Sequence, residues 1–173
     1  RRWLALNAMF LSLPGTPILY YGDEVGMGDN LGLPDRYGVR TPMQWNDDKN
    51  AGFSEADQTY LPVINDEIYG YRRVNVAAQE QDPASYLAWT RYLIPTRQTQ
   101  PALRAGTLSW VETGDTGVLA FRRQEGENSV LCAFNLTDEA RPSGITPSAD
   151  VVDLLARDGT VCEAGCEIRL APY

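Results

Sequence analysis

The sequence predicts an α/β segment followed by a small all-β domain, and two patterns support this division. Apolar side chains on nearly all sides of residues 1–13 indicate a buried helix, and the apolar run 16–21 is typical of a buried parallel strand. From residue 106 onward, short segments separated by turns are typical of an antiparallel sandwich. We therefore expect residues 1–105 and 106–173 to form parts of two different domains.

The segment 22–82 has little periodicity and is rich in Gly, Pro, Asn and Asp, yet it carries many aromatic residues. A loop of this length is uncommon unless it is functional, and its aromatic content argues against disorder. We predict an ordered, folded-over loop with one short helix. Asp82 and Pro83 predict the start of the next helix, Pro95 is expected to kink or shorten it, and the helix should end by Pro101.

One parallel strand in the first part has no sheet partner, so we expect residues 1–105 to be the end of a larger unit.

The all-β part contains apolar segments that predict its strands. The predicted strands of the second part are 107–112, 117–123, 129–136, 151–156 and 166–170.

Composition excludes several classes of function. The net charge of −8 argues against nucleic acid and anionic membrane surfaces as partners. No segment approaches the ~18 apolar residues of a membrane helix. The absence of histidine excludes Ser-His-Asp catalysis and His-ligated metals within these 173 residues.

Three cysteines indicate a reducing compartment, and hence a cytoplasmic location, rather than a disulfide framework. A pairing of Cys162 with Cys166 remains open at this point. Several acidic and amide side chains in the loop look at first like calcium ligands, but they lack the regular EF-hand spacing with its closing Glu. We therefore predict no metal and no cofactor in this chain. The loop side chains considered are Asp29, Asn30, Asp47, Asp48 and Asn50.

Specific motifs occur between residues 15 and 79. The stretch GTPILYYGDE at 15–24 is followed by GMGDN at 26–30, DRYGVRTPMQW at 35–45, NAGFS at 50–54 and VNVAAQ at 74–79. The first resembles the region around the eighth barrel strand of α-amylase-superfamily enzymes (family 13 glycoside hydrolases). Together the motifs closely resemble the trehalose synthase (maltose α-D-glucosyltransferase) group of that superfamily.

The resemblance implies a fold and a reaction. Residues 1–105 would contain the last strand and helices of a (β/α)8 TIM barrel, with 22–82 as an active-site loop, and 106–173 the small antiparallel C-terminal β-sandwich. The implied parent is a retaining enzyme that isomerises maltose to trehalose by intramolecular transglucosylation. The family's catalytic nucleophile aspartate, acid/base glutamate and stabilising aspartate lie on earlier barrel strands. We therefore assign no catalytic residue here and expect the chain alone to be inactive.

Other readings remain open. The parent could be an α-glucosidase or an oligo-1,6-glucosidase-type hydrolase, in which water accepts the glucose. The chain could also be a non-catalytic carbohydrate-binding or structural domain, with Trp110 and Phe121 as sugar platforms, although core packing explains Trp110 more simply. In each enzymatic reading the partner is an α-linked di- or oligosaccharide such as maltose or trehalose. A homo-oligomeric parent is compatible with the resemblance.

Arg40 and Arg36 are the candidate substrate-binding residues. In exo-acting relatives the arginine at the position of Arg40 closes the blind end of the glucose pocket by pairing with an aspartate. A planar guanidinium can hold a carboxylate and still donate to sugar hydroxyls. For Arg36 two interpretations stay open, a place near an outer subsite and a solvated or loop-bracing charge. Because Asp35 is its neighbour in sequence, we expect no proper facing pair between them.

Four further loop residues have a structural and a functional interpretation. For Asp23 and Glu24 we favour hydrogen bonds to backbone amides of the long loop over direct contact with sugar. For Met43 and Trp45 we favour a buried loop core over a platform for a pyranose ring.

Overall fold

The computed structural model describes residues 2–172. Contacts between Cα atoms divide the chain into two compact units. One contains the residues up to Thr16 and those from Leu93 onward, and the other is Pro17–Tyr92. The helices are α1 (Arg2–Ser12), α2 (Val76–Glu80), α3 (Tyr86–Thr99) and α4 (Pro101–Ala105), with short 3-10 helices at Asp23–Val25, Asp35–Arg40 and Lys49–Gly52.

Among residues 2–172, seven strands follow α4, and three of them form the main sheet. The order in this sheet is β1-β2-β3, both pairs are antiparallel, and Phe121 lies opposite both Trp110 and Cys132. The short pairs β4·β7 and β5·β6 are also antiparallel. The strands are β1 (Thr107–Trp110), β2 (Val118–Glu125), β3 (Asn128–Asn135), β4 (Arg141–Pro142), β5 (Val151–Val152), β6 (Val161–Cys162) and β7 (Arg169–Leu170).

The core of the first unit lies where helices pack on this sheet. Helix α4 contacts β2 and β3, and α1 contacts β3. Phe121 and Phe134 are buried, with ring centroids 6.0 Å apart. Because alternate residues of a strand face opposite sides, these contacts account for the apolar alternation along β2 and β3.

Arg97 caps the end of α1. The last carbonyls of a helix have no intrahelical donor and carry partial negative charge. The buried guanidinium of Arg97 donates to the carbonyls of Leu11, Leu13 (2.9 Å) and Gly15 (2.6 Å). The helix end therefore takes the place of a carboxylate counterion. Burial, and next the charge of Arg123, lowers the pKa of Arg97.

Arg123 is a second buried arginine at the same helix end. It lies on β2, is 1% exposed, and donates to the carbonyl of Ser12 and to that of Gly106 at 2.7 Å. Its Nε has no hydrogen-bond partner among residues 2–172. The arginine thus joins three chain segments of this unit: the end of α1, the end of α4 and the middle of β2.

The second unit has a small core of its own. Val25, Met43 and Leu87 are buried together, and Met27 and Val76 pack against them. Helix α2 is capped by Asn75, whose side-chain oxygen accepts a hydrogen bond from the amide of Ala78 at 2.8 Å. The segment is ordered and contains one short α-helix, as predicted, together with three short 3-10 helices that were not predicted.

Gln79 and Gln44 provide long-range polar contacts in this unit. The side chain of Gln79 donates to the carbonyl of Val25 (2.6 Å) and accepts from the amide of Leu87 (3.0 Å). Gln44 is fully buried and donates to the carbonyls of Tyr69 and Val74. These bonds satisfy backbone groups that an irregular segment would otherwise leave unpaired.

Several elements differ from the predictions in the first half of the chain. Residues 16–21 form no strand, and Ile18 is 82% exposed, because residues 2–172 contain no strand beside this segment. Helix α1 is present, but Leu6 and Phe10 are exposed, so the prediction that this helix is buried on nearly all sides was wrong. Helix α3 begins at Tyr86 rather than at Pro83, since Asp82 and Ser85 first form a turn.

Other differences concern the ends of elements. Helix α3 runs through Pro95 and ends at Thr99, so its predicted end by Pro101 is confirmed. A separate helix, α4, was not predicted and starts at Pro101, where the fixed φ of proline suits a first helical position. The strands predicted at 151–156 and 166–170 shorten to two residues each, and β4 and β6 were not predicted. No helix of the described chain combines the length and apolar character needed to cross a bilayer.

Candidate functional site

A cavity of about 680 Å³ lies in the unit Pro17–Tyr92. Its walls are aromatic, with one arginine, one glutamate and several neutral polar side chains. Such a mixture is typical of sites that bind small molecules through apolar contact and a few placed polar groups. The lining residues are Tyr21, Glu24, Arg40, Thr41, Pro42, Met43, Trp45, Phe53, Ser54, Gln58, Thr59, Tyr60 and Leu61.

Arg40 is the last residue of the 3-10 helix Asp35–Arg40, and its backbone is fixed on both sides. After it, the buried Thr41 offers its carbonyl to the hydroxyl of Tyr21 at 2.9 Å. Before it, the carbonyl of Gly38 accepts from the amide of Asn30 at 3.1 Å. A Cβ at Gly38 would lie 2.6 Å from the Asn30 carbonyl oxygen, so this approach requires glycine.

The electrostatics of the cavity centre on Arg40 and Tyr21. Among residues 2–172, Arg40 has no carboxylate within 4.0 Å. Burial raises the pKa of Tyr21, the neighbouring Tyr20 raises it further, and the charge of Arg40 acts in the opposite direction. The guanidinium is therefore within electrostatic range of this phenol and free to meet an incoming polar group.

Arg36 does not line the cavity. Its exposed Nε lies 3.8 Å from the exposed Oδ2 of Asp35, so the two side chains do meet, contrary to our expectation. The φ of 51° at Asp35 turns the backbone sharply before Arg36. An ion pair this exposed contributes little to stability. The structure thus brings Arg40 to the cavity and leaves Arg36 outside it.

Asp23 and Glu24 bond to backbone amides, and this prediction is confirmed. Oδ2 of Asp23 accepts from the amide of Tyr20 at 2.9 Å, and Oε2 of Glu24 accepts from the amide of Gly22 at 2.8 Å. These amides lie at the entrance of the loop. Glu24 also lines the cavity, as the only carboxylate among its described walls.

Met43 and Trp45 lie two residues apart and have different surroundings. Met43 is buried in the core with Val25 and Leu87, as predicted. Trp45 is 50% exposed and lines the cavity, so its assignment to a buried loop core was wrong. Met43 also lines the cavity, so the two side chains share this side, as alternate residues of an extended segment do, and they differ in how far they are covered.

Sequence reasoning missed the remaining aromatic walls. Phe53, Tyr21 and the strongly exposed Tyr60 line the cavity, and Tyr37 stands edge-on to Tyr60 with ring centroids 6.4 Å apart. The available signal was the number of aromatic residues in a segment otherwise rich in turn-forming residues. Irregular segments have no period that assigns such residues to one surface.

The remaining candidate features are the possible metal ligands and the three cysteines. Within the described residues no group of three or more Asp, Glu, Cys or His side chains could hold a metal, and the absence of a metal site stays a prediction. Cys132, Cys162 and Cys166 are unpaired. Burial raises the pKa of the Cys132 thiol to about 11.

Trp110 does not pack in the core as expected. It is 64% exposed on β1 and stands edge-on to the fully buried Phe121, with ring centroids 5.8 Å apart. Phe121 therefore cannot act as a sugar platform. One exposed tryptophan falls short of the row of aromatics that a sheet-surface carbohydrate site requires.

Comparison with known proteins adds the family. The model of the alpha amylase catalytic domain matches residues 1–106. A trehalose synthase of Pimelobacter sp. (strain R48) is 47% identical over 142 residues, which cover 79% of this chain and 25% of that protein. A probable alpha-glucosidase of Rhizobium meliloti (strain 1021) is 36% identical over 151 residues, covering 78% of this chain and 26% of the relative. The chain thus spans about a quarter of the length of these relatives.

Solved structures agree with the sequence comparison. An inactive double mutant of MutB in complex with isomaltulose matches with a TM-score of 0.80 and 25% identity, over 99% of this chain and 36% of MutB. The structural neighbours are TIM-barrel enzymes of glycoside hydrolase family 13. The match includes the sheet of β1–β3 as well as the segment that carries the cavity. The chain belongs to the alpha-amylase family.

Proposed function

We propose that this chain works as part of a longer retaining enzyme that isomerises maltose to trehalose by intramolecular transglucosylation. The observation that carries the proposal is the cavity at Arg40, where a guanidinium without a carboxylate partner in the described chain faces aromatic and hydroxyl-bearing side chains. The 47% identity with a trehalose synthase supports this particular reaction. The substrates would be α-linked disaccharides.

The chain would supply recognition rather than bond cleavage. Retention of configuration requires two carboxyl groups about 5 Å apart, one as nucleophile and one as acid/base. The cavity offers Glu24, and its carboxylate is already bound to the amide of Gly22. We therefore infer that the nucleophile and the acid/base come from other parts of the full-length enzyme, hereafter the parent.

Arg40 would bind the glucose unit that is transferred. Its guanidinium presents five donors in one plane, enough to pair with a carboxylate of the parent and to bond sugar hydroxyls at the same time. The bond from Tyr21 to the Thr41 carbonyl holds the backbone beside it, so the guanidinium would need little reorganisation on binding. Arg36, outside the cavity, would contact sugar only at an outer position.

A hydrolase is the second candidate, and the 36% identity with a probable alpha-glucosidase favours it. Both reactions begin with a covalent glucosyl-enzyme. In the isomerase the released glucose turns within the closed site and attacks again, whereas in the hydrolase water attacks. Exclusion of water from the site decides between them.

The test uses the full-length parent with maltose and added ¹³C-labelled glucose, followed by ¹³C NMR. We expect trehalose without label, because the same glucose is retained throughout. Free glucose as the main product would establish the hydrolase, and labelled trehalose would exclude an intramolecular transfer. Inactivity toward both disaccharides would refute the proposal. The isolated 173-residue chain should turn over neither sugar.

Two further assignments are part of the proposal. The end of the catalytic-domain match at residue 106 supports a boundary near residue 105 between the barrel and the C-terminal β-sandwich. The three unpaired cysteines support a reducing compartment, and we propose a cytoplasmic location for the parent.

A further inference from the structure

We propose that Trp45 and Phe53 form an aromatic wall for the second sugar ring of the disaccharide, and that a left-handed turn at Asn50–Gly52 sets the position of this wall. The second ring is the one that leaves and, in an isomerase, returns. This inference rests on the proposed function, because it assigns a subsite of the same cavity. It adds a binding surface and a positioning element to Arg40.

The turn is an unusual piece of backbone. Asn50, Ala51 and Gly52 have φ values of 53°, 60° and 68°, so three consecutive residues adopt the left-handed conformation. Each non-glycine residue in that conformation costs about 1–2 kcal/mol, and such residues cluster at functional sites. Ala51 is in addition completely buried. The surrounding structure must therefore hold the turn in place.

Side chains on both sides of the turn provide this support. The amide group of Asn50 donates to the carbonyls of Ser54 (3.0 Å) and Ala56 (2.7 Å). The φ of 68° at Gly52 favours glycine, and a Cβ there would lie 2.4 Å from Oδ1 of Asn46, whose side chain would have to shift. The turn is thus specified by an asparagine that bonds forward along the chain and a glycine that lets the chain pass Asn46.

The turn fixes the backbone of both aromatic residues. The carbonyl of Ala51 accepts hydrogen bonds from the amides of Trp45 (2.9 Å) and Asn46 (3.2 Å). The carbonyl of Asn50 accepts from the amide of Phe53 at 3.0 Å. A right-handed backbone at Ala51 would direct its carbonyl elsewhere and release Trp45. The strained conformation is therefore linked to the positions of Trp45 and Phe53.

Both aromatic side chains remain open toward the cavity. Trp45 is 50% exposed and Phe53 is 52% exposed, and both line the same walls as Arg40. Packing within the described unit does not account for two large apolar side chains held half exposed by a strained turn. Exposed apolar surface of this kind marks a binding site.

The chemistry of the walls fits a neutral sugar ring. A pyranose ring has an apolar face of C–H groups and a polar edge of hydroxyls. The aromatic faces of Trp45 and Phe53 suit the former, and the side chains of Ser54, Gln58 and Thr59 on the same cavity suit the latter. The ligand class is thus an uncharged hexopyranose, bound by stacking and by hydroxyl contacts.

The test compares two substrates of the full-length parent. Maltose has a second ring, whereas α-D-glucosyl fluoride transfers the same glucose unit but has fluoride in its place. We expect Trp45→Leu to lower kcat/KM for maltose by about 10- to 100-fold, the size of an altered apolar contact in a specificity pocket. For glucosyl fluoride the change should stay within about twofold, because no contact to the first ring is lost. Trp110→Leu, at an exposed tryptophan outside the cavity, is the matched control and should change neither value.

Asn50→Ala tests the positioning element. It changes neither aromatic residue but removes the two bonds that support the turn. We expect the same selective loss on maltose, again with glucosyl fluoride nearly unchanged, which a general loss of stability could not produce. An equal fall in kcat/KM on both substrates in Trp45→Leu, together with a lower Tm, would mean that other parts of the parent enzyme pack against Trp45. That result would overturn the inference. An unchanged kcat/KM of Trp45→Leu on maltose would also overturn the inference. A wild-type parent that is active on glucosyl fluoride but on no disaccharide would instead contradict the proposed function.

Discussion

Replacing Arg123 by methionine keeps the apolar stem of the side chain and removes its guanidinium. The carbonyls of Ser12 and Gly106 then lose their donors in a region where Arg123 is only 1% exposed. Each buried acceptor left unpaired costs about 1–3 kcal/mol. Removal of a buried charge, and of its repulsion with Arg97, offsets part of this loss. We therefore expect Arg123→Met to lower the free energy of unfolding by about 2–4 kcal/mol.

The assay is thermal unfolding of the chain by circular dichroism, at two protein concentrations so that association is recognised. A loss of that size corresponds to a fall in Tm of roughly 4–16 °C for a chain of this length. The matched control is Arg122→Met, at the adjacent, exposed arginine of β2 that donates to Ser129 Oγ. Its effect should stay within about 0.5 kcal/mol. Equal Tm values for both variants would show that the buried arginine does not join α1 to the sheet, and the reasoning would be refuted.

Three further predictions follow from single groups. Cys132, with a pKa near 11, should react with a thiol reagent at pH 8 far more slowly than the other two cysteines, and three equal rates would contradict its burial. Backbone amides lower the pKa of Asp66. Its contribution to stability is therefore present above the unfolded-state pKa and is lost as the pH falls through the folded-state pKa. Asp66→Asn should flatten the dependence of Tm on pH below about 4. Asn75→Ala removes the cap of α2 and should cost about 0.5–2 kcal/mol in a denaturant titration, with no loss expected if the cap is unimportant.

The sequence correctly predicted those helices and strands that show a regular apolar pattern of their own. The periodic apolar residues of α1 and α3 and the alternation along β2 and β3 led to the correct types of element. The strand predicted at 16–21 was wrong because a strand depends on hydrogen bonds to neighbouring strands, and residues 2–172 contain none beside this segment. The prediction for Trp110 was wrong for a related reason: it shares a face with the buried Phe121 but lies on β1, at the edge of the sheet, and the pattern of one strand does not show how far that face is covered.

The candidate site was predictable to a smaller extent. Arg40 followed from the resemblance of residues 35–45, and only the structure places it beside Trp45 and Phe53 in one cavity. The left-handed turn at Asn50–Gly52 was not predicted. Asn and Gly favour that conformation, whereas an alanine between them does not, and the contacts that stabilise it come from residues outside the turn.

The central claim is that Arg40 binds the transferred glucose, and steady-state kinetics of Arg40→Lys in the full-length parent test it most directly. Lysine keeps the charge but loses the planar set of donors. Loss of a charge-assisted, bidentate contact in a desolvated site should cost about 2–4 kcal/mol, or roughly 30- to 1,000-fold in kcat/KM on maltose, with Tm unchanged. Arg36→Lys, outside the cavity, should have a milder effect. Near-normal kcat/KM for Arg40→Lys, or a loss that follows a fall in Tm, would contradict the account, because Arg40 would then only brace the loop.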